Sequence, residues 1–257
     1  MIQLFVFLLF PIAIFSQEFP TTLVNEEWVI IAPYILPDTH PAMPMLDKIF
    51  LNGDRPIRTV EALKKAGFKI ITKGHWSDTI IATHPGVEGH FFKLFTEDQA
   101  HIYEVGRLYA RIKGAELAQA IVDNHGFNKL FKVPRKWFYM LPDDPTPTFG
   151  IPAKRLILVA EDMRLLTKEE NYRKWSASTL SKTLLESVFL VLTEGGFSDS
   201  SYAFNLPFAK DGRIALIDND KYNKRPIPFH KLFKYLHPKL KRRAEQLIHE
   251  AGPTLAF

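Results

Sequence analysis

The stretch "GFSDSSYAFNLPFAKDGRIALIDND", residues 196–220, carries the clearest fold signal in the chain. Two apolar runs flank "AKDG", and an Asp-Gly pair between apolar runs is typical of a β-hairpin turn. With Asp211 and Gly212 as the two central turn residues, Asn205 faces Asp218 across the hairpin. Facing residues have Cβ atoms about 4.5–5.5 Å apart. The pattern therefore predicts that an amide oxygen and a carboxylate meet at the open end of the hairpin.

This predicted pair has the chemistry of a site for a hard cation. Mg²⁺ takes one or two protein oxygens and completes its coordination shell with water and phosphate. Asp199 lies six residues before Asn205, and a loop there can bring a second carboxylate to the same place. The alternative interpretation is an ordinary polar hairpin that binds nothing.

Composition places the chain among globular proteins. It has 257 residues, of which 46% are hydrophobic and 24% are charged, enough for one large domain or two small lobes. It contains no cysteine, which excludes disulfides, thiolate metal sites and a cysteine nucleophile.

The N-terminal residues 1–16, "MIQLFVFLLFPIAIFS", carry no charged side chain. They predict a signal peptide that is cut near Ser16 and exports the protein to a periplasm or the cell exterior. An uncleaved anchor and a buried N-terminal strand are the alternatives. No later stretch reaches the roughly 18 apolar residues of a spanning helix, so we expect no transmembrane span in the mature chain.

The net charge of +5 is concentrated near the C-terminus. Residues 221–244 contain nine Lys or Arg and no Asp or Glu. Such a run favours an anionic partner, namely phosphate, a membrane surface or nucleic acid. The alternative is a solvated helix face.

The N-terminal half of the chain predicts an arm followed by a sheet. Residues 17–58 form an arm with one short strand in "EWVIIAPYIL", and "TVEALKKAGF" predicts a helix that begins after Thr59. The runs "FKIIT", "DTIIATH" and "HFFKLF" predict three antiparallel strands.

The rest of the chain is predominantly helical by pattern. Residues 102–124 predict a long helix, and "RLILVAEDM" predicts a strand beyond a linking segment rich in aromatic, basic and proline residues. The sequence "NYRKWSASTLSKTLLESVFLVLTEGG" predicts a second long helix, and "PKLKRRAEQLIHEAG" a basic tail helix.

The order of these parts resembles the catalytic core of the protein-kinase-like superfamily, over about residues 68–220. The kinase catalytic loop reads Asp-x-x-x-x-Asn, and "DSSYAFN" is similar with one extra residue. The resemblance implies that Asp199 is the catalytic base and that Asn205 and Asp218 are metal ligands. Where the family has Phe-Gly after the metal-binding Asp, this chain has Asn219 and Asp220.

The strand "HFFKLF" is similar to the kinase strand that carries the nucleotide-binding lysine. Alternation puts Lys93 on the same face as two Phe side chains, where an ammonium needs a carboxylate or phosphate partner. The resemblance implies that a glutamate of the following helix pairs with it, either Glu116, which we prefer, or Glu104. Arg107 and Arg111, four residues apart on that helix, can hold an anion or stay solvated.

The resemblance also implies a fold and a nucleotide site. The fold is α+β with two lobes, an antiparallel-sheet lobe at residues 59–160 and a reduced helical lobe at residues 161–257 that ends in the basic tail helix. Backbone groups near Glu161 and Met163 would bind adenine.

Three functions follow from these patterns. The first is an atypical kinase-like phosphotransferase that uses ATP and Mg²⁺ and phosphorylates a protein or small molecule not identified by the sequence. The second is a catalytically inactive kinase-like binding protein, or pseudokinase. The glycine-poor turn "KGHWSDT" and the extra residue after Asp199 favour it. The third is a basic module that binds anionic surfaces through residues 221–244.

Overall fold

A computed structural model describes residues 25–52, 55–73, 78–99, 102, 104–144 and 153–252 of the chain. The predicted signal peptide and most of the glycine-poor turn lie outside these residues, so both stay predictions. No helix in the described part of the chain is long and apolar enough to cross a membrane.

The fold is mixed α+β, with a five-stranded antiparallel sheet as its main layer. The helices are α1 (Asn25–Ile31), α2 (Met43–Phe50), α3 (Val60–Lys65), α4 (Glu104–Asn124), α5 (Lys168–Trp175), α6 (Lys182–Gly195) and α7 (Pro238–Ala251). The strands are β1 (Lys69–Lys73), β2 (Ile80–Thr83), β3 (His90–Leu94), β4 (Phe131–Lys132), β5 (Lys136–Met140), β6 (Leu156–Glu161) and β7 (Ile214–Ala215). The large sheet has the order β1-β2-β3-β6-β5, and β4 pairs with β7 in parallel.

The sheet is covered by helices on both faces, because alternate residues of each strand point to opposite sides. Phe92 and Val159 belong to the core cluster that includes Leu46 of α2 and Leu63 of α3. Leu158, next to Val159 in β6, belongs to the cluster formed with α4. The sheet therefore presents one face to α2 and α3 and the other to α4.

Helix α4 joins this layer to a third core in the helical part of the chain. Its first half packs on the sheet through Leu108 and Ile112. Its second half, with Ala118 and Val122, belongs to the core that α6 builds with the hairpin and α7. The middle of α4 is therefore the place where the sheet core and the helical core meet.

The N-terminal arm differs from the expected strand and extended segment. Residues 25–31 form α1 and residues 32–34 form a 3-10 helix. In the described part of the arm, only Ile35 makes a β-bridge, to Phe138. Leu46 and Phe50 of α2 are buried in the sheet core. The buried apolar residues of the arm thus pack on the sheet rather than pair as a strand, whereas Val29 and Leu51 are exposed.

Two further elements differ from the sequence predictions. The second long helix is broken into α5 and α6, because Ser181 starts a new helix by accepting a hydrogen bond from the Leu184 amide. Strand β5 arises from the segment that the sequence indicated only as a linker, and it pairs along its length with β6.

The hairpin of residues 207–215 forms, but its pairing is shifted by one residue. Phe208 pairs with Ile214, and the Ala209 amide donates to the Arg213 carbonyl at 2.8 Å. The turn therefore holds three residues and ends at Gly212, whose φ of +88° suits the glycine of a three-residue hairpin loop. The predicted cross-strand facing of Asn205 and Asp218 is wrong, since this pairing sets neither opposite the other.

Candidate functional site

Lys93 and Asp218 form the centre of the candidate site. Lys93 lies on β3 with 8% of its surface exposed, on the side of the sheet that faces α4. Its Nζ lies 3.1 Å from Oδ1 of Asp218, which follows the second hairpin strand. The buried ammonium thus has the carboxylate partner that its position between apolar residues required.

Arg111 on α4 is the second cation of the site. Its side chain is 6% exposed, and its Nη1 donates to the same Asp218 carboxylate. Its Nη2 lies 3.1 Å from Oδ2 of Asp220 and 3.5 Å from the Thr79 hydroxyl. One guanidinium therefore bridges two carboxylates that follow each other at the end of the hairpin.

These contacts fix the charge of Asp218. Burial would raise the pKa of its carboxyl, but the charges of Lys93 and Arg111 outweigh burial and hold the pKa well below its usual range. Burial lowers the pKa of Lys93, and the Asp218 charge acts in the opposite direction. The Asp218 carboxylate is therefore ionised at neutral pH, and it lies between the side chains of Lys93 and Arg111.

Lys136 on β5 is a residue of the site that the sequence analysis missed. It is buried, and its Nζ donates to the carbonyl of Arg111 at 3.0 Å and to that of Ile217 at 3.4 Å. Burial, followed by the positive charge of Lys93, lowers its pKa to about 7. Lys136 therefore ties β5 and α4 to the residue just before Asp218. Had β5 been recognised, alternation with Phe138 would have indicated a buried lysine.

Neither predicted glutamate partner of Lys93 lies in this cluster. Glu116 has an exposed carboxylate that accepts from Lys113 and, at 3.0 Å, from the Tyr34 hydroxyl. Glu104 is buried but accepts from the backbone amide of Arg155 at 2.9 Å. The structure pairs Lys93 with Asp218 instead, and of the two arginines on α4 it buries Arg111 and leaves Arg107 exposed.

Asp199 and Asn205 lie on one loop, which is tied to the Asp218 segment. The side-chain amide of Asn205 donates to the carbonyl of Asp199 at 2.6 Å. The carboxylate of Asp199 is partly exposed and pairs with Lys221. Ser200 completes the link, because its hydroxyl donates to the carbonyl of Asp218 at 2.9 Å.

Glu161 and Met163 lie beside a separate open pocket of about 820 Å³. The Glu161 carboxylate accepts from the backbone and side chain of Arg135, and the Met163 carbonyl accepts from Lys132 at 3.4 Å. Glu161 and Met163, the residues expected near adenine, thus border a cavity. Neither Lys93 nor Asp218 lines that cavity.

The carboxylate oxygens of Asp218 and Asp220 suit a hard cation such as Mg²⁺, which would complete its coordination shell with water or phosphate oxygens. Their side chains are 32% and 24% exposed, so both are reachable from solvent. Mg²⁺ typically binds through one or two carboxylates plus phosphate oxygens. Within the described ranges, no group of three or more His, Asp or Glu side chains is placed to hold a metal by itself.

Comparison of the chain with protein-family models, with curated proteins and with solved structures finds no match. Its function is therefore inferred from the site itself. Among the predicted site residues, Lys93 contacts Asp218, and Asn205 contacts Asp199.

Proposed function

We propose that this protein is an atypical kinase-like phosphotransferase that uses ATP and Mg²⁺. The observation that carries the proposal is the contact between Lys93 of β3 and Asp218, 125 residues later in the chain. It joins a lysine on a sheet strand to a carboxylate after a hairpin, which is the pair that nucleotide phosphates and their metal require.

The roles follow from the charges of the site. Lys93 binds nucleotide phosphates, and Asp218 and Asp220 offer hard oxygen ligands. The amide oxygen of Asn205 is a further candidate ligand, on the neighbouring Asp199 loop. When bound, Mg²⁺ would neutralise phosphate charge. Phosphoryl transfer depends mainly on positioning and charge neutralisation, so few residues are needed. Asp199, partly exposed on the neighbouring loop, orients the acceptor hydroxyl.

The arrangement of the cores supports a two-lobed molecule. The core between the sheet and the first half of α4 lies on one side of the middle of α4, and the core of α6 and α7 lies on the other. The Lys93–Asp218 contact crosses between the two. A site at such a boundary can close on a nucleotide from both sides.

A catalytically inactive kinase-like binding protein is the second candidate. Arg111 already occupies both Asp218 and Asp220, and Lys221 already pairs with Asp199. A protein that binds nucleotide without turnover can tolerate both arrangements. Measurement of turnover separates the two functions.

The test is ligand-induced stabilisation followed by a turnover assay. Ligand at 100 times its Kd stabilises the folded state by about 2.7 kcal/mol. We expect ATP with Mg²⁺ to stabilise the wild type and Lys64→Met, a matched change at an exposed lysine, but not Lys93→Met or Asp218→Asn. If ATP with Mg²⁺ leaves the wild type unchanged, the proposed function fails. Stabilisation without γ-phosphate transfer or hydrolysis favours the inactive binding protein.

A further inference from the structure

Arg111 stands where a metal–nucleotide complex would have to bind. Its Nη1 contacts Asp218 and its Nη2 contacts Asp220, so one side chain holds the two carboxylates nearest to Lys93. A divalent cation that binds these oxygens meets a guanidinium already there. Lys93 and Arg111 already share Oδ1 of Asp218, so a divalent cation at this carboxylate would be repelled by both positive side chains.

The hydrogen bonding of Arg111 is incomplete in the ligand-free protein. Its Nε is buried and, within the described part of the chain, has no hydrogen-bond partner. A buried donor without an acceptor destabilises the folded state, because it has lost its hydrogen bonds to water. Phosphate oxygens are strong acceptors that match the planar fork of a guanidinium. Arg111 therefore has an unused donor that a bound phosphate would satisfy.

The backbone at Arg111 is fixed, which limits any change to the side chain. Lys136 donates to the Arg111 carbonyl at 3.0 Å. Three residues further on, Gly114 packs so tightly against Asn219 that an added Cβ would lie 1.7 Å from the Asn219 carbonyl oxygen. The helix and the Asp218 segment are thus held together, so an exchange of partners at Arg111 has to come from its side chain.

We infer that Arg111 is a built-in competitor of the metal and exchanges its partners when nucleotide binds. In the free protein the guanidinium occupies Asp218 and Asp220. On binding, the divalent cation takes these carboxylates and a phosphate group takes the guanidinium. This inference rests on the proposed function and adds that metal binding alone is opposed by Arg111, whereas nucleotide binding uses it.

The exchange predicts opposite effects of one substitution on two ligands. In Arg111→Gln we expect Mn²⁺ alone, followed by electron paramagnetic resonance, to bind at least about tenfold more tightly, because a competing charge is removed. ATP without metal, followed by calorimetry, binds at least about tenfold more weakly, because a phosphate ligand is lost. Arg111→Lys keeps the charge but cannot bridge two carboxylates, so its Mn²⁺ affinity lies between those of the other two proteins.

Arg107→Gln is the matched control. Arg107 lies one turn earlier on α4 and is exposed, so the same change of charge leaves both affinities within about twofold of the wild type. If Arg111→Gln binds Mn²⁺ with the same affinity as the wild type, and the wild type still binds ATP with Mg²⁺, the inference fails and the proposed function stands. Absence of both metal and nucleotide binding from the wild type overturns both.

A measurement on the wild-type chain covers the case in which Arg111→Gln does not fold. In a ¹⁵N-labelled sample, the Nε–Hε resonance of Arg111 is expected to shift when ATP and Mg²⁺ saturate the site, because Nε then gains an acceptor. A resonance that stays in place at saturation overturns the inference.

Discussion

At the residue scale, Lys136 is the most unusual group of the site. It is buried, and its hydrogen-bond acceptors among the described residues are backbone carbonyls rather than carboxylates. Burial lowers its pKa to about 7, against 10.5 for an ordinary lysine. Between these values the unfolded chain holds one more proton than the folded protein. The stability cost of charging Lys136 is therefore complete below pH 7 and is relieved as the pH rises toward 10.5.

Lys136→Met is expected to remove this pH dependence. From pH 7 to pH 9 the free energy of unfolding of the wild type should rise relative to that of the variant by up to about 1.4 kcal/mol per pH unit. Urea unfolding at pH 7, 8 and 9 measures the difference. In Lys69→Met, at an exposed lysine, the free energy of unfolding should change with pH as it does in the wild type. If the free energy of unfolding of Lys136→Met also has the pH dependence of the wild type, the pKa of Lys136 is not lowered.

Gly114 is expected to be intolerant of any side chain. A Cβ at this position would lie 1.7 Å from the carbonyl oxygen of Asn219, which sits between Asp218 and Asp220. Gly114→Ala must push that segment away, at a cost of about 1–3 kcal/mol or more. We expect the variant to lose stability in urea and to lose stabilisation by ATP with Mg²⁺.

Gly106→Ala is expected to increase stability, whereas Gly114→Ala decreases it, and it therefore serves as the control. Gly106 is exposed on the same helix, where alanine is favoured over glycine by about 0.8–1.0 kcal/mol. If Gly114→Ala is as stable as Gly106→Ala, helix α4 and the Asp218 segment are not packed together as described.

At the element scale, local patterns located the helices and strands better than they located pairings. The α4 helix predicted over residues 102–124 is observed at Glu104–Asn124, since its apolar periodicity is a local property. The hairpin was found, but its turn takes three residues, because Gly212 adopts positive φ after Lys210 and Asp211. Sequence does not separate a two-residue from a three-residue turn, and one residue decides whether Asn205 faces Asp218.

Helix α5 fixes the hairpin and the Asp199 loop through one side chain. Asn171 is buried, donates to the carbonyl of Ala203 at 2.8 Å and accepts from the amide of Phe208 at 3.0 Å. Asn171→Ala leaves both backbone groups unpaired, at about 1–3 kcal/mol for each. We expect a large loss of stability in urea and, if the proposed function holds, a fall in kcat that reflects a displaced Asp199.

The capping residue of the same helix provides the comparison. Thr167 forms a capping box with Glu170, and Thr167→Ala should cost about 1 kcal/mol without releasing the loop. Its kcat should equal that of the wild type. Equal losses of kcat in Thr167→Ala and Asn171→Ala would show that general destabilisation, rather than the Asn171 contacts, controls the loop.

At the scale of the whole molecule, the site is made by contacts that no local pattern contains. Lys93 and Asp218 are 125 residues apart, and Arg111 and Asp218 are 107 apart. The sequence indicated that Lys93 needed an acidic partner but not which one. Arg111 and Glu116 are both charged residues of α4, and only packing of the helix between the two cores determines which of them is buried.

The basic C-terminal surface is a second feature of the whole molecule and does not include the residues of the proposed nucleotide site. Leu240, Ala244 and Leu247 of α7 are buried, whereas Lys239, Lys241 and Arg242 are exposed. Arg243 differs from these three because it pairs with Glu186 at 2.7 Å and with Glu250 at 3.1 Å. The exposed cations thus form one face of a helix that is anchored by its other face.

Reversal of these three charges tests the surface. A basic side chain near an anionic membrane contributes about 1 kcal/mol, so Lys239→Glu/Lys241→Glu/Arg242→Glu should weaken binding to phosphatidylserine-containing vesicles by at least about 100-fold. Binding of the wild type should also weaken as salt is raised, since the attraction is screened.

A control distinguishes the effect of the α7 surface on vesicle binding from the effect of net charge. A triple reversal at Lys64, Lys65 and Lys69, all exposed on the sheet side, changes the net charge equally. It should weaken vesicle binding by much less, and stabilisation by ATP with Mg²⁺ should survive in both variants, because neither set touches Lys93 or Asp218. Equal weakening by the two reversals would mean that the overall charge of +5, and not the face of α7, attracts the membrane.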